Sequence, residues 1–94
     1  MASYIVGVLS KHNLARYQDY ALAGFRLIDG VAVEVALAEE PDVLEGTFPG
    51  TSMIIMKFAD DDAAAKWYAS EGYQEVIPIR QESADTHFVI TFKS

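Results

Sequence analysis

The 94-residue chain has no cysteine. Disulfides, thiolate nucleophiles and cysteine-ligated zinc or iron–sulfur centres are therefore excluded. Bases are scarce: seven Lys and Arg stand against fourteen Asp and Glu, for a net charge of −7. Phosphate backbones and anionic membrane surfaces both select clustered bases, so neither nucleic acid nor a membrane is an expected partner. The two histidines, His12 and His87, show no HxH or HExxH spacing. No metal site and no cofactor are expected from them. No glycine-rich phosphate loop and no Ser-His-Asp pattern is present. Apolar runs fall well short of the ~20 residues that span a bilayer. Met1-Ala2-Ser3-Tyr4 lacks the basic start of a signal peptide, so a soluble, cytoplasmic protein is expected.

What the chain does have is apolar surface. Hydrophobic residues make up 51% of it, in a length that allows one small domain, residues 1–94. A domain this small buries only about 60–65% of its unfolded surface. Surplus apolar residues in such a domain are commonly hidden in an oligomer.

The periodicities alternate between strand and helix. Tyr4 to Leu9 is apolar throughout and rich in β-branched residues, as a buried strand is. Asn13 is placed to cap a helix carrying Leu14, Tyr17, Ala21, Gly24-Phe25 and Ile28 on one face, stopped near Asp29-Gly30. Val31 to Leu37 alternates with period two. Glu39 to Gly50 holds two prolines, two glycines and four acids and reads as a long loop. Met53 to Phe58 is a third strand. Asp60 can cap a helix through Trp67-Tyr68, with Asp62 and Lys66 spaced to pair. Ser70-Glu71-Gly72 breaks that helix. A short helix follows from Tyr73 to about Glu82, bent or divided by Pro78, and Thr86 to Phe92 is the last strand. The order β-α-β-β-α-β, with one extra helix, is the ferredoxin-like arrangement of the α+β class, a sandwich of helices on a four-stranded antiparallel sheet.

Both faces of that sheet carry apolar residues. The more apolar sets, including Phe88, Ile90 and Phe92, are expected to face the helices. Met53, Ile55, Val89 and one face of the first strand are expected on the other side. A solvated antiparallel sheet alternates more cleanly, and an apolar patch of that size marks an interaction surface. A homodimer packed sheet against sheet is the economical solution, with Glu34, Lys57 and His87 within or around the interface.

Several residues carry a family resemblance: Tyr17 and Tyr20, Gly30, Leu44-Glu45-Gly46, Phe58, Ala64, Trp67-Tyr68, Ser70, Tyr73 and Arg80. Together they resemble domain-of-unknown-function family 1330 over nearly the whole chain. The resemblance implies a dimeric α+β barrel and no settled activity. Members of that family typically follow a Gly-Gly pair with a strand containing bases. Here Asp29-Gly30 precedes a strand with Glu34 and no base.

The candidate site is drawn from the same residues. Tyr20, Trp67, Tyr68 and Tyr73 suit the walls of a ligand pocket between helices and sheet, or plain core packing. Arg80, one of three arginines, suits a substrate carboxylate or a structural salt bridge to Glu45. Glu45 suits a general base beside it, or a loop anchor. Such a pair fits proton transfer on a small carbonyl-bearing or aromatic molecule. The alternative is a non-catalytic dimer without a pocket. His87 is read as a packed interface histidine ahead of a haem ligand, and Asp60-Asp61-Asp62 as helix capping ahead of a cation site.

Overall fold

A computed structural model describes all residues, Met1–Ser94. The elements are β1 (Ser3–Lys11), α1 (Leu14–Ile28), β2 (Glu34–Glu39), β3 (Ser52–Phe58), α2 (Asp61–Ala69), α3 (Glu71–Ser83) and β4 (Ala84–Lys93). The strands form one antiparallel sheet in the order β2-β3-β1-β4. This is the expected ferredoxin-like α+β fold. No helix is long and apolar enough to cross a membrane.

Capping sets the helix starts. Asn13 Oδ1 accepts from Arg16 N at 3.1 Å, and Asp60 Oδ1 accepts from Ala63 N at 2.8 Å. Lys66 Nζ pairs with Asp62 at 3.0 Å, one turn away. Ser70 ends α2 and caps α3, its Oγ donating to Trp67 O at 2.6 Å and accepting from Tyr73 N at 3.3 Å. Pro78 does not divide α3, which runs unbroken around it. Neighbouring turns and packing hold the helix where the missing N–H would let it fray.

The core lies where α2 and α3 meet the sheet: Ile5, Met56 and Phe58 pack against Ala64, Trp67, Tyr73 and Ile28. α1 lies along α3 and joins the sheet core through Ile28 at its C-terminal end. The molecule is only 17 Å across its short axis, the thickness of one helix layer on one sheet. The other face of the sheet therefore carries no helix, and the loop ending at Gly50 covers only its Val8 end.

One strand faces opposite to the expected sense. Opposed residues of paired strands share a face, and Phe88, Ile90 and Phe92 lie opposite Val8, Val6 and Tyr4. Those residues alternate with Ile5, which faces the helices. Phe88, Ile90 and Phe92 therefore lie on the helix-free face, and Val89 packs toward the core. The cross-strand stack of Tyr4 on Phe92, 5.1 Å between ring centroids, belongs to that outer face. Residues 31–33 form a turn rather than the start of β2, which runs two residues further than expected, to Glu39. Positive φ at Gly30 (76°) lets this turn leave α1.

The loop after β2 returns across the end of β1, where Thr51 N donates to Leu9 O at 2.8 Å. Gly50 sits directly over that strand. A Cβ there would stand 2.5 Å from Leu9 O and 2.9 Å from Val8 Cγ1. Gly50→Ala is expected to destabilise the fold by about 1–3 kcal/mol through this overpacking. Urea denaturation of the two proteins measures it.

Candidate functional site

Because α1 stands off the sheet, a cavity of about 130 Å³ opens between them. Ile5, Gly7, Leu9, Ile54 and Met56 form its floor, and Tyr17, Tyr20, Ala21, Gly24 and Phe25 its roof. Trp67, Tyr73 and Arg80 close one end. The rim is open: Phe25 is 44% exposed and Leu37 60%. An engineered apolar cavity of about 150 Å³ is known to hold benzene, so this one has room for about one ring.

Small residues create the space. Gly7 faces the helices because it alternates with Ile5 and Leu9. Gly24 lies in the interior of α1, and a Cβ built on it would meet nothing within 4 Å. A helix-interior glycine costs roughly 0.5–1 kcal/mol relative to alanine. No crowding at this position requires it.

The inner end carries a hydrogen-bonded chain. The Tyr20 and Tyr73 hydroxyls are 2.7 Å apart, and Arg80 Nη1 donates to the Tyr73 hydroxyl at 2.8 Å. The Arg80 guanidinium also lies 5.8 Å from the Tyr20 ring centroid, within cation–π range. Burial, with the neighbouring Tyr20 oxygen, pushes the Tyr73 phenol well above its usual range, so it is neutral at physiological pH. Burial disfavours the Arg80 charge, but the Tyr73, Tyr20 and Tyr68 oxygens more than offset this, and it stays cationic. Two buried side-chain nitrogens have no hydrogen-bond partner within the protein: Arg80 Nε and Trp67 Nε1. Both belong to residues that wall the cavity.

The rim holds a second polar group, and it is internally neutral. Lys11 Nζ pairs with Glu39 and stands 4.4 Å above the Tyr17 ring centroid. Ser52 Oγ donates to Glu39 Oε2 at 2.6 Å. These two bonds, to Lys11 and then Ser52, hold the Glu39 carboxyl below its ordinary range. Burial pushes the Tyr17 phenol up, helped by Tyr20 and Glu39.

Of the sequence candidates, Tyr20, Trp67, Tyr73 and Arg80 come together here. Trp67 is also core, 4.2 Å from Tyr73 and 5.7 Å from Phe58 between ring centroids. Tyr68 lies on the far side of Tyr73, in a separate groove with α2 and β4. Glu45 is exposed on the loop, outside the cavity walls, and the expected Glu45–Arg80 ion pair is not formed. The stretch after β2 is tied down instead by backbone bonds at its base, Glu40 N to Thr51 O at 2.6 Å among them. His87 Nε2 lies 2.7 Å from Ser10 Oγ, near Gly50.

Lys11 and Glu39 are the members that sequence reasoning did not single out; Tyr17 and Gly24 were read only as part of an apolar helix face, and Tyr17 also as a family residue. Alternation carries the first two: Lys11 continues Ile5, Gly7 and Leu9, and Glu39 continues Val35 and Leu37. Strand ends set two residues too short hid both.

Comparison with known proteins agrees with this architecture. The sequence model of the family described as Domain of unknown function (DUF1330) matches residues 2–93. The chain belongs to the DUF1330 family. No curated protein is significantly similar. Among solved structures, a dimeric ferredoxin-like protein of unknown function from Jannaschia sp. CCS1 superimposes with a TM-score of 0.81 at 12% identity, covering 100% of both chains. SnoaB, a cofactor-independent oxygenase from Streptomyces nogalater, gives 0.77 at 14% identity, over 99% of this chain and 92% of that one. At3g17210 from Arabidopsis thaliana gives 0.74 at 16% identity, over 100% and 95%. At these identities the likeness is one of fold. It places this DUF1330 chain among ferredoxin-like proteins.

Glu39 has a depressed pKa in the folded state. Its contribution to stability is therefore complete above its ordinary value of 4.5 and is lost as pH falls through the lower folded value. The stability advantage of the wild type over Glu39→Gln is expected to be constant near neutrality and to shrink in acid. Thermal melts of both proteins from neutral to acid pH measure it.

Proposed function

We propose that this DUF1330 protein is a cytoplasmic homodimer that binds or transforms a small carbonyl-bearing or aromatic molecule in the cavity beneath α1. The observation that carries this is Gly24. A glycine sits inside a helix, over open space, where alanine would be more stable. Stability given up to keep a cavity open is the mark of a site that something enters. Trp67, Tyr73, Tyr20 and Arg80 supply an apolar wall and polar groups to orient a guest.

The dimer reading rests on the exposed β4 end of the helix-free face. Ile90 and Phe92 are 49% and 48% exposed there, beside Phe88. Contiguous apolar surface of this kind is characteristic of an interface. The Jannaschia neighbour is described as dimeric, which supports the same assembly here. A second copy packing sheet against sheet would cover Phe88, Ile90 and Phe92 together.

Arg80 is the residue we assign to the guest. Glu45, exposed on its loop, receives no support from the geometry as a general base. A pocketless, purely structural dimer has no use for the space over Gly24.

Two substitutions test the pocket. Gly24→Ala is expected to raise stability by about 0.5–1 kcal/mol, since its methyl enters open space and the helix gains propensity. Gly24→Leu is expected to fill the cavity and remove any small molecule retained by the freshly purified wild type, as read by native mass spectrometry. Retention of the same molecule by Gly24→Leu would refute the assignment. For the assembly, Ile90→Glu is expected to convert a dimer to a folded monomer, seen by the same method and by circular dichroism.

A further inference from the structure

We propose that the guest of this cavity is a small monoanion, a carboxylate or its electronic equivalent on a body of about one ring, held by Arg80. This rests on the pocket reading above and adds the charge of the ligand.

Arg80 is a buried cation without a counter-anion. It is 6% exposed, and none of the six ion pairs in the molecule includes it. The other cation at the cavity, Lys11, is neutralised by Glu39. A buried charge is normally paired, because an unpaired one forfeits its hydration with nothing in return. The tyrosine oxygens around Arg80 favour its charged form, but none of them supplies a negative charge to pair with it. Tyr73 and Tyr20 are phenols, and the Tyr73 hydroxyl accepts from the guanidinium without carrying a negative charge. Arg80 lies in the last turn of α3, where the helix dipole contributes at most about half a negative charge.

Two hydrogen-bond donors at this end have no partner. A guanidinium has five N–H donors and no acceptor. Nη1 donates to the Tyr73 hydroxyl, and Nε has no partner. The other unpartnered nitrogen, Trp67 Nε1, is likewise donor-only. Both nitrogens are sealed from the open space, so what the closed end of the cavity offers a guest is the unmatched positive charge of Arg80. A carboxylate answers it, since it carries one negative charge and fits a planar fork. A neutral carbonyl would leave the charge unmatched. A dianion would exceed the single cation available. The remaining walls are apolar and the space is about 130 Å³, which limits the body to a ring or a short branched chain.

The test uses benzoate and its neutral near-isostere benzamide as probes, measured by calorimetry with the wild-type protein at fixed ionic strength. Benzoate is expected to bind at least tenfold more tightly than benzamide. Arg80→Met is expected to lose that preference. It should melt at the same temperature as the wild type or higher, because it removes an unpaired buried charge while Tyr20 and Tyr73 keep their mutual bond. Arg80→Lys is expected to retain a weakened preference for benzoate. Benzamide binding within threefold of benzoate would overturn the anion inference and leave the pocket standing. Benzoate binding to Arg80→Met at wild-type strength would overturn it equally. If neither probe binds the wild type, the pocket reading falls and this inference with it. Should Arg80→Met fail to fold, the comparison of the two probes on the wild type still decides.

Discussion

The hydrogen bond between Tyr20 and Tyr73 is the contact on which the arrangement turns. α1 reaches the core through Ile28 near its end and packs along α3. The two hydroxyls, 2.7 Å apart, bridge those helices at the closed end of the cavity. Tyr73 also belongs to the core and receives Arg80. One phenol thus ties three things together: the stand-off helix, the packed centre and the buried charge. An ordinary α+β sandwich would lower α1 onto the sheet and bury more apolar area, at about 25 cal/mol for each Å². Here Gly7, Ala21 and Gly24 leave that area unburied.

Much of the fold was legible because its signals are local. Asn13 and Asp60 were readable as caps, since a short side-chain oxygen before an apolar periodic run has one cheap use. Ser70-Glu71-Gly72 was readable as a break for the same reason. The facing of β4 was not. Phe88, Ile90 and Phe92 are its most apolar set, and hydrophobicity alone sends such a set to the helices. Register with β1 decides otherwise, and register is a non-local property that no single strand declares. The two-sided sheet was visible all the same, and the inversion makes its outer face more apolar than expected.

The site was legible in part. Aromatic and arginine side chains are costly to bury, so Tyr20, Trp67, Tyr73 and Arg80 stood out as residues and also meet in space. Tyr68 sits next to Trp67 in sequence yet points elsewhere, because adjacent helix positions lie about 100° apart. Glu45 stood out by sequence context, but a loop of this length leaves the position of its tip undetermined. The absence of a side chain at Gly24 conveys nothing until the space around it is known.

Ser70 joins two rigid bodies. The helix before it is fastened to the sheet through Trp67, and the helix after it carries Tyr73, Arg80 and, through them, α1. Its hydroxyl grips both sides, donating back to Trp67 O and accepting from Tyr73 N. The two aromatic walls of the cavity are thus the last turn before and the first turn after a single knuckle. The angle at that residue sets how the Trp67 and Tyr73 rings meet, so the closed end of the pocket is shaped by one serine that does not line it.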